Sequence, residues 1–176
     1  MKKIFALLIP SLFLFAACQG PQGPQGPQGV PGQDGGLEYA TAIELVVDFT
    51  PANNYQIVEN FGFDVFPADV PLVYILWDTD DNGTEIWRPL PQTTFLTQGA
   101  LIYNYDFTQA DFSLFLDGTI SDFSSLSSGY LNNQVFRVVV VPAAFLQTAR
   151  LADKSYETIT GALGLSDSDF VKRDLR

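Results

Sequence analysis

One acidic segment of the chain has side chains spaced for binding a divalent cation. The run Asp78-Thr79-Asp80-Asp81-Asn82-Gly83 matches the opening D-x-D-x-N-G of a calcium-binding loop. The match then stops, because the twelfth position of such a loop is Pro89, where a bidentate glutamate is needed. The segment therefore predicts a metal-free β-hairpin, with Asp78, Asp80 and Asn82 as calcium ligands in the alternative.

The hairpin interpretation joins a strand over Leu72–Trp77 to a strand over Thr84–Arg88. Asn82-Gly83 is the dipeptide that favours a type I′ turn between two such strands. This register sets Asp80 opposite Glu85. Because facing carboxylates repel each other, the sequence predicts either a wider turn or a bound cation.

Two tryptophans and an arginine beside this hairpin have the chemistry to recognise a ligand. Trp77 faces Arg88 in the predicted register, and Trp87 precedes Arg88 in the chain. An aromatic surface of this kind stacks on a sugar or grips a peptide, although tryptophans on strands more often pack inside the fold. Trp77, Trp87 and Arg88 are therefore the predicted ligand-binding residues, with burial as the alternative.

The sequence lacks the residues on which most hydrolases and metalloenzymes depend. It contains no histidine and one cysteine, which excludes Ser-His-Asp and Cys-His catalysis and imidazole zinc sites. Neither glycine-rich nucleotide-binding signature occurs. A carboxylate pair of the glycosidase type stays formally open. We expect no enzymatic activity and no cofactor.

The single cysteine follows a segment with the features of an export signal. Two lysines precede an apolar stretch over residues 4–17, which is shorter than the roughly 20 residues of a membrane span. Phe15-Ala16-Ala17-Cys18 looks like a bacterial lipobox, although Leu14 stands one place early. We expect a signal peptide over residues 1–17 and acylation of Cys18, with chains such as palmitate; secretion with a free thiol is the alternative. Two acyl chains hold a protein stably at a membrane.

A collagen-like tract follows the cysteine and completes residues 18–36. Only glycine fits at the axis of a collagen triple helix, so glycine must recur at every third position. The tract either assembles a homotrimer or serves as a spacer without assembly. The glycines that keep this period are Gly20, Gly23, Gly26, Gly29, Gly32 and Gly35.

Over residues 1–36 the chain resembles the short collagen-like lipoproteins of bacteria. These carry a lipobox, a Gly-Pro-Gln triplet tract and a small β-rich domain. The resemblance implies a location in the cell envelope, lipid-anchored to a bacterial membrane, with the outer membrane and cell surface as the expected place. It implies oligomeric display and nothing catalytic.

Alternation of apolar and polar residues predicts β-strands in the domain over residues 37–176. In the first strand Ile43, Leu45, Val47 and Phe49 recur with period two. Val135–Val141 is β-branched and contains Arg137 as its only polar residue. Seven or eight short strands predict a mainly β fold, an antiparallel β-sandwich of Ig-like or jelly-roll-like type. The other predicted strands lie over 55–66, 72–77, 84–88, 101–107 and 112–116.

The C-terminal segment, about 142–175, has a different pattern that predicts short helices covering one end or edge of the sandwich. A first helix is expected from Pro142. Asp153 is the expected cap of a second helix that ends at Gly164. Ser166 and Asp169 have the spacing of a capping box for a final turn.

The charge of the chain limits the partners that it can have. Without the two lysines of the signal, seven basic residues stand against twenty acidic ones, so binding to nucleic acid through its phosphates is not expected. The sequence predicts a non-catalytic, lipid-anchored cell-surface protein with an interaction or structural role. Its partners would be the membrane, through the lipid, and an unidentified protein or glycan. The alternatives are a glycan- or peptide-binding module at Trp77 and Trp87 and, after it, a carboxylate-based hydrolase.

Overall fold

The computed structural model of the protein describes residues 41–63, 65–143, 145 and 153–176. Within them two β-sheets pack face to face, which confirms the predicted mainly β sandwich. The predicted signal peptide, Cys18 and the glycines of the tract lie outside the described residues. Most of the helix predicted from Pro142 lies outside them as well.

Nine strands and two α-helices lie wholly within the described part of the chain. Sheet A has the strand order β4-β3-β8-β1-β9, and sheet B has the order β2-β7-β6-β5. The strands are β1 (Ala42–Val47), β2 (Gln56–Asn60), β3 (Val70–Thr79), β4 (Glu85–Pro89), β5 (Gln92–Leu96), β6 (Gly99–Phe107), β7 (Asp111–Gly118), β8 (Gln134–Val141) and β9 (Phe170–Leu175). The helices are α1 (Ser128–Leu131) and α2 (Tyr156–Leu163), and short 3-10 turns span Pro51–Asn53, Phe123–Ser125 and Asp167–Asp169.

The core between the sheets consists of the alternating apolar residues that define the strands. Ile43 and Leu45 of β1 are fully buried and share one cluster with Leu114 of β7. Phe49 contacts Phe136 edge-on, with 6.0 Å between ring centroids. Burying a side chain of this size contributes about 1.5–3 kcal/mol, so this layer is the main source of stability. The strand predicted over 55–66 is shorter than expected and ends at Asn60.

A second apolar cluster lies on the opposite face of sheet A, where α2 covers it. Ile159 of α2 and Phe170 of β9 are buried there against residues of β3, β4 and β8. Helix α2 is capped by Ser155, whose hydroxyl accepts a hydrogen bond from the Thr158 amide, and not by the predicted Asp153. It ends at Gly164 in the left-handed conformation, as predicted. Sheet A is therefore covered on both faces.

The last residues form a strand, which corrects the prediction of a helical segment up to residue 175. Strand β9 pairs in parallel with β1, from Ala42 opposite Phe170 to Val47 opposite Leu175. The sandwich is consequently not antiparallel throughout. The physical reason is the edge of β1 that β8 does not use, where main-chain hydrogen bonds outweigh the weak helical signal of a short charged segment. The capping box of Ser166 and Asp169 is present, but it closes only a 3-10 turn before the strand.

Arg173 of β9 joins the edges of the two sheets. Its Nη1 donates to the Asn60 carbonyl at 2.6 Å and to the Glu59 carboxylate at 3.2 Å, and its Nη2 donates to the Phe61 carbonyl at 2.7 Å. These acceptors lie at and after the end of β2 in sheet B. The guanidinium therefore holds the two sheets together along one side of the sandwich.

The strand register defines two ends of the sandwich. Val139 pairs with Ala42 on one side and Leu72 on the other, so β1 and β3 start at the same end. We call this the proximal end, because the chain before Thr41 enters the domain there. The turn between β3 and β4, with the acidic segment, lies at the opposite end, which we call the distal end.

Candidate functional site

The acidic turn at the distal end is closed by its own hydrogen bonds. The Asp80 amide donates to the Thr84 carbonyl, and the Gly83 amide donates to the Asp80 carbonyl, both at 2.9 Å. Gly83 has a φ of +84°, whereas Asn82 is not among the described residues with positive φ. A type I′ turn requires positive φ at both central residues, so the predicted turn at Asn82-Gly83 is wrong.

A β-bulge at Trp77 changes the predicted register of the hairpin. Thr79, and not Asp80, lies opposite Glu85, and the register shifts between Leu76 and Asp78. The repulsion expected between facing carboxylates is therefore absent. Of the two solutions that the sequence allowed, the structure has the wider turn.

Two of the predicted calcium ligands, Asp78 and Asp80, accept hydrogen bonds from nearby main-chain amides. The Asp80 carboxylate accepts hydrogen bonds from the amides of Thr84 at 2.8 Å and Asn82 at 2.9 Å, and these bonds hold the pKa of Asp80 below its ordinary value. Asp78 accepts from the Thr79 amide at 2.8 Å. Among the residues that the structure describes, no three Asp, Glu, His or Cys side chains are grouped so that they could hold a metal ion.

The structure separates Trp77 from Trp87, so the two do not form the predicted aromatic patch. Trp77 packs against the cluster between the sheets, whereas Trp87 belongs to the cluster on the outer face of sheet A. Arg88 does contact Trp77, with its guanidinium carbon 4.3 Å from the ring centroid. Trp87 is only 7% exposed, because successive residues of a strand point to opposite faces and its face is covered by α2.

Within the described part of the chain, several polar side chains gather around Arg137 of β8. Its Nε donates to Glu44 at 2.9 Å, and its Nη2 lies 2.7 Å from the same carboxylate. The Asp167 carboxylate lies 3.0 Å from Nη1 and that of Glu85 lies 3.7 Å from Nη2, while Nη1 also donates to the Tyr156 hydroxyl. Arg137 thus connects strands β8, β1 and β4 with the C-terminal segment.

Aromatic rings enclose the same guanidinium. Its central carbon lies 4.4 Å from the ring centroids of both Trp87 and Phe170, and 5.4 Å from that of Tyr156. Trp87 and Tyr156 stack with centroids 5.2 Å apart, and the Trp87 indole N–H donates to Glu85 at 3.1 Å. A desolvated cation on an aromatic face gains about 2 kcal/mol, which helps to offset its loss of water.

Arg137 keeps its positive charge because the groups around it compensate for the water that it loses on burial. Burial alone would lower the pKa of Arg137, but the hydrogen bond to Glu44 and the interactions with Tyr156 outweigh it and raise the pKa. Burial raises the pKa of the Tyr156 phenol, and the neighbouring charge of Arg137 acts in the opposite direction. Lys172, 3.1 Å from Glu44, is a second cation, so three carboxylates face two positive groups. The cluster therefore does not offer a site for an anion.

A shallow cleft of about 360 Å³ opens beside this cluster at the surface. Arg137, Trp87 and Tyr156 line it together with Glu85, Asp167 and Thr160. The polar groups at its floor are already bonded to one another, so a ligand would have to break these bonds to use them. We assign the cluster a structural role, which is to hold the C-terminal segment on sheet A.

A second cleft, of about 600 Å³, lies at the proximal end. None of the described residues that line it has an ionisable side chain. Its lining consists of Gly62, Phe63, Val65, Pro67, Gln109 and Ala110. None of the described helices is long and apolar enough to cross a membrane.

Sequence reasoning missed the Arg137 cluster, although it noticed Arg137 itself. A single arginine in an otherwise apolar central strand must find an opposite charge, and that signal was present. Its partners come from distant parts of the chain: Glu44 lies directly opposite Arg137 on β1, and Lys172 lies opposite Glu44 on β9. Only the strand pairing reveals this row of charges.

No family model, curated protein or solved structure matches the chain.

Replacement of Arg137 by methionine tests the structural role of the cluster. The variant leaves Glu44, whose side chain is 12% exposed, without its main partner. Removing one member of a buried ion pair costs about 3–5 kcal/mol. We expect a loss of about 3 kcal/mol in the free energy of unfolding, measured by urea denaturation, because Lys172 stays near Glu44.

Two further variants serve as controls for this measurement. The double variant Arg137→Met with Glu44→Leu removes both charges, and it should recover at least half of the loss, since apolar replacement of a buried pair is often neutral. Arg88→Met, which removes only a stacked arginine, should cost about 1 kcal/mol or less. A double variant no more stable than the single one would contradict the structural assignment.

Replacement of Asp80 by alanine tests the closure of the acidic turn. We expect Asp80→Ala to lower the melting temperature and the neighbouring Asp81→Ala to leave it unchanged. Because the folded-state pKa of Asp80 is lowered, its contribution is present above the ordinary carboxyl pKa and is lost as the pH falls through the lowered value. The difference between wild type and Asp80→Ala should therefore shrink in strong acid, and added calcium or chelator should shift neither curve. A calcium-dependent rise in the melting temperature that Asp80→Ala abolishes would reverse this interpretation.

Proposed function

We propose that the protein is a non-catalytic, lipid-anchored cell-surface protein that displays a β-sandwich on a collagen-like stalk. Its role is interaction or structure. The anchor is supported by Cys18 at the end of the lipobox-like motif, and the stalk by the unbroken triplet period of residues 20–35. Two acyl chains on Cys18 would give stable attachment without a membrane-spanning helix.

The observation that carries the non-catalytic role is the bonding within the Arg137 cluster. Among the described residues this cluster brings together the side chains best suited to chemistry, a guanidinium, a phenol and carboxylates. The guanidinium lies 2.7–3.7 Å from the three carboxylates and donates to the phenol, and these contacts hold Glu44 of β1 and Asp167 of the C-terminal segment to β8. Groups used in this way stabilise the fold and do not support a hydrolase.

The path of the chain suits display. The tract precedes β1, the first strand of the described residues, in the sequence. Fifteen residues of the tract span roughly 45 Å if extended and roughly 20 Å as a flexible coil. Either length separates the sandwich from the lipid surface.

The glycan- or peptide-binding alternative at Trp77 and Trp87 is less well supported. Trp87 is buried between Arg137 and Tyr156, and the two tryptophans lie in different clusters. The face of a buried indole is not free to stack on a sugar ring. An interaction role therefore needs another surface.

Lipid attachment at Cys18 is tested by expressing the full chain in a bacterial host. We expect the wild-type protein to partition into the detergent phase and its N-terminal peptide to carry the mass of acyl chains. Cys18→Ser should move the protein to the aqueous phase. An unmodified Cys18 thiol at the mature N-terminus would refute the anchor.

The assembly state of the stalk is tested by sedimentation of the lipid-free Cys18→Ser chain. The tract has five triplets, and only Pro31 places an imino acid at the third position, so we expect a monomer and a stalk that acts as a spacer. A triple helix requires glycine at the axis but tolerates changes at the third position. A trimer mass that Gly26→Ser abolishes and Gln25→Ser preserves would instead establish a trimeric stalk.

A further inference from the structure

The two sheets differ in what covers their outer faces. Sheet A carries α2 on its outer face, whereas the outward side chains of sheet B belong to neither apolar cluster. In β7, Leu114 points into the core and Phe115 points outward; in β5, Phe95 points outward. Phe95 is 85% exposed and Val58 of β2 is 60% exposed.

The apolar residues on this face form one continuous line. Phe95 pairs with Ala100, and Ile102 follows two residues later on the same face of β6. Ile102 is diagonal to Phe115 of β7, which is in turn diagonal to Val58 of β2. Diagonal neighbours on a sheet lie about 7–8 Å apart, within reach of large side chains. We call Phe95, Ile102, Phe115 and Val58 the apolar diagonal.

Every charged side chain on the outer face of the four strands of sheet B is a carboxylate, and neutral residues such as Asn104 and Ser113 also lie beside the apolar diagonal. Asp117 of β7 pairs with Ile102 of β6. Asp106 and Asp111 lie towards the end of the apolar diagonal that Val58 occupies. No Lys or Arg occurs from Pro89 to Phe136 or in β2. None of the ion pairs among the described residues includes these three aspartates.

The positive charges of the domain lie elsewhere. Every Lys and Arg in the described part of the domain belongs to sheet A or to residues 153–176. A second copy docking through the same face would therefore set aspartates against aspartates, which is unfavourable. Nucleic acid and anionic lipid surfaces are repelled for the same reason. The charge of this face fits a cationic partner.

We propose that the outer face of sheet B is a docking surface for a polypeptide segment of another protein that is rich in Lys or Arg, with apolar side chains between them. The apolar diagonal buries the partner's apolar side chains, and Asp106, Asp111 and Asp117 pair with its cations. This inference rests on the proposed interaction role and names its surface and the chemistry of its partner.

The test uses the full mature chain with Cys18→Ser, so that no lipid is present. The probes are a fluorescent peptide of alternating lysine and leucine, the same peptide with glutamate for lysine, and the same peptide with serine for leucine. We expect anisotropy to show binding of the first peptide only, and binding that weakens with added salt.

Matched variants locate the binding on the protein. Phe95→Ser should weaken binding about tenfold, as expected for an exposed aromatic anchor, whereas Val171→Ser, which removes a 54% exposed residue of β9, should not. Asp117→Asn should weaken binding about two- to threefold, and Asp81→Asn, at the distal turn, should have no effect. Circular dichroism of each variant verifies the fold.

Several results would overturn the proposal. One is that the lysine–leucine peptide does not bind. Another is that wild type and Phe95→Ser bind it with equal affinity. The third is that Asp117→Asn and Asp81→Asn weaken binding equally, which would mean that the net charge of the protein alone attracts the peptide. Because the chain in this test has no lipid, its result does not depend on the anchor. A failure of the Cys18 experiment is therefore distinguishable from a failure here.

Discussion

A charged guanidinium buried in the middle of an apolar strand requires opposite charges and hydrogen-bond acceptors around it. Arg137 lies in β8, the central strand of sheet A, and it is 2% exposed. Its desolvation has to be compensated by opposite charge and by hydrogen bonds to all its nitrogens. Glu44 on the neighbouring strand supplies the first compensation, and Tyr156 and Asp167 of the C-terminal segment supply the rest. The position of this segment on sheet A thus follows from the needs of one side chain.

This arrangement divides the molecule into two chemically different halves. Sheet A is covered on both faces and contains the buried ion network, and the cations of the described domain lie in sheet A or in residues 153–176. Among the described residues, sheet B lacks cations in all four strands and exposes Phe95 and Val58 on its outer face. Burial therefore serves stability in one sheet, and exposure leaves the other available to a partner. The separation of charge gives the domain an electrical polarity that a partner can detect at a distance.

Period-two alternation was enough to identify most of the sandwich from the sequence. Ile43, Leu45 and Val47 were predicted on one face, and all are buried. Strand β9 was missed because a segment with Lys172, Arg173 and Asp174 has little apolar signal of its own. Its strand conformation comes from pairing with β1, more than a hundred residues earlier. Local patterns cannot report such a contact.

The candidate site was less predictable than the fold. The bulge at Trp77 shifted the hairpin register, and a single inserted residue of this kind leaves no clear sequence mark. Alternation within β4 already placed Trp87 and Arg88 on opposite faces, which argued against one shared patch. The Arg137 cluster depended on partners from four separate segments, so its composition required the tertiary structure.

The pairing of β1 has a consequence for how the protein can fold. Both neighbours of β1 in sheet A, strands β8 and β9, come from the last quarter or so of the chain. The first strand of the described domain therefore has no neighbour on either edge until the C-terminal strands have been synthesised. Contacts between residues this distant in sequence form slowly. A partly synthesised chain lacks them, so its sheet A cannot yet be completed. For a protein that we propose is exported, such a delay is useful, because a chain that cannot finish folding early stays extended enough to be threaded across a membrane.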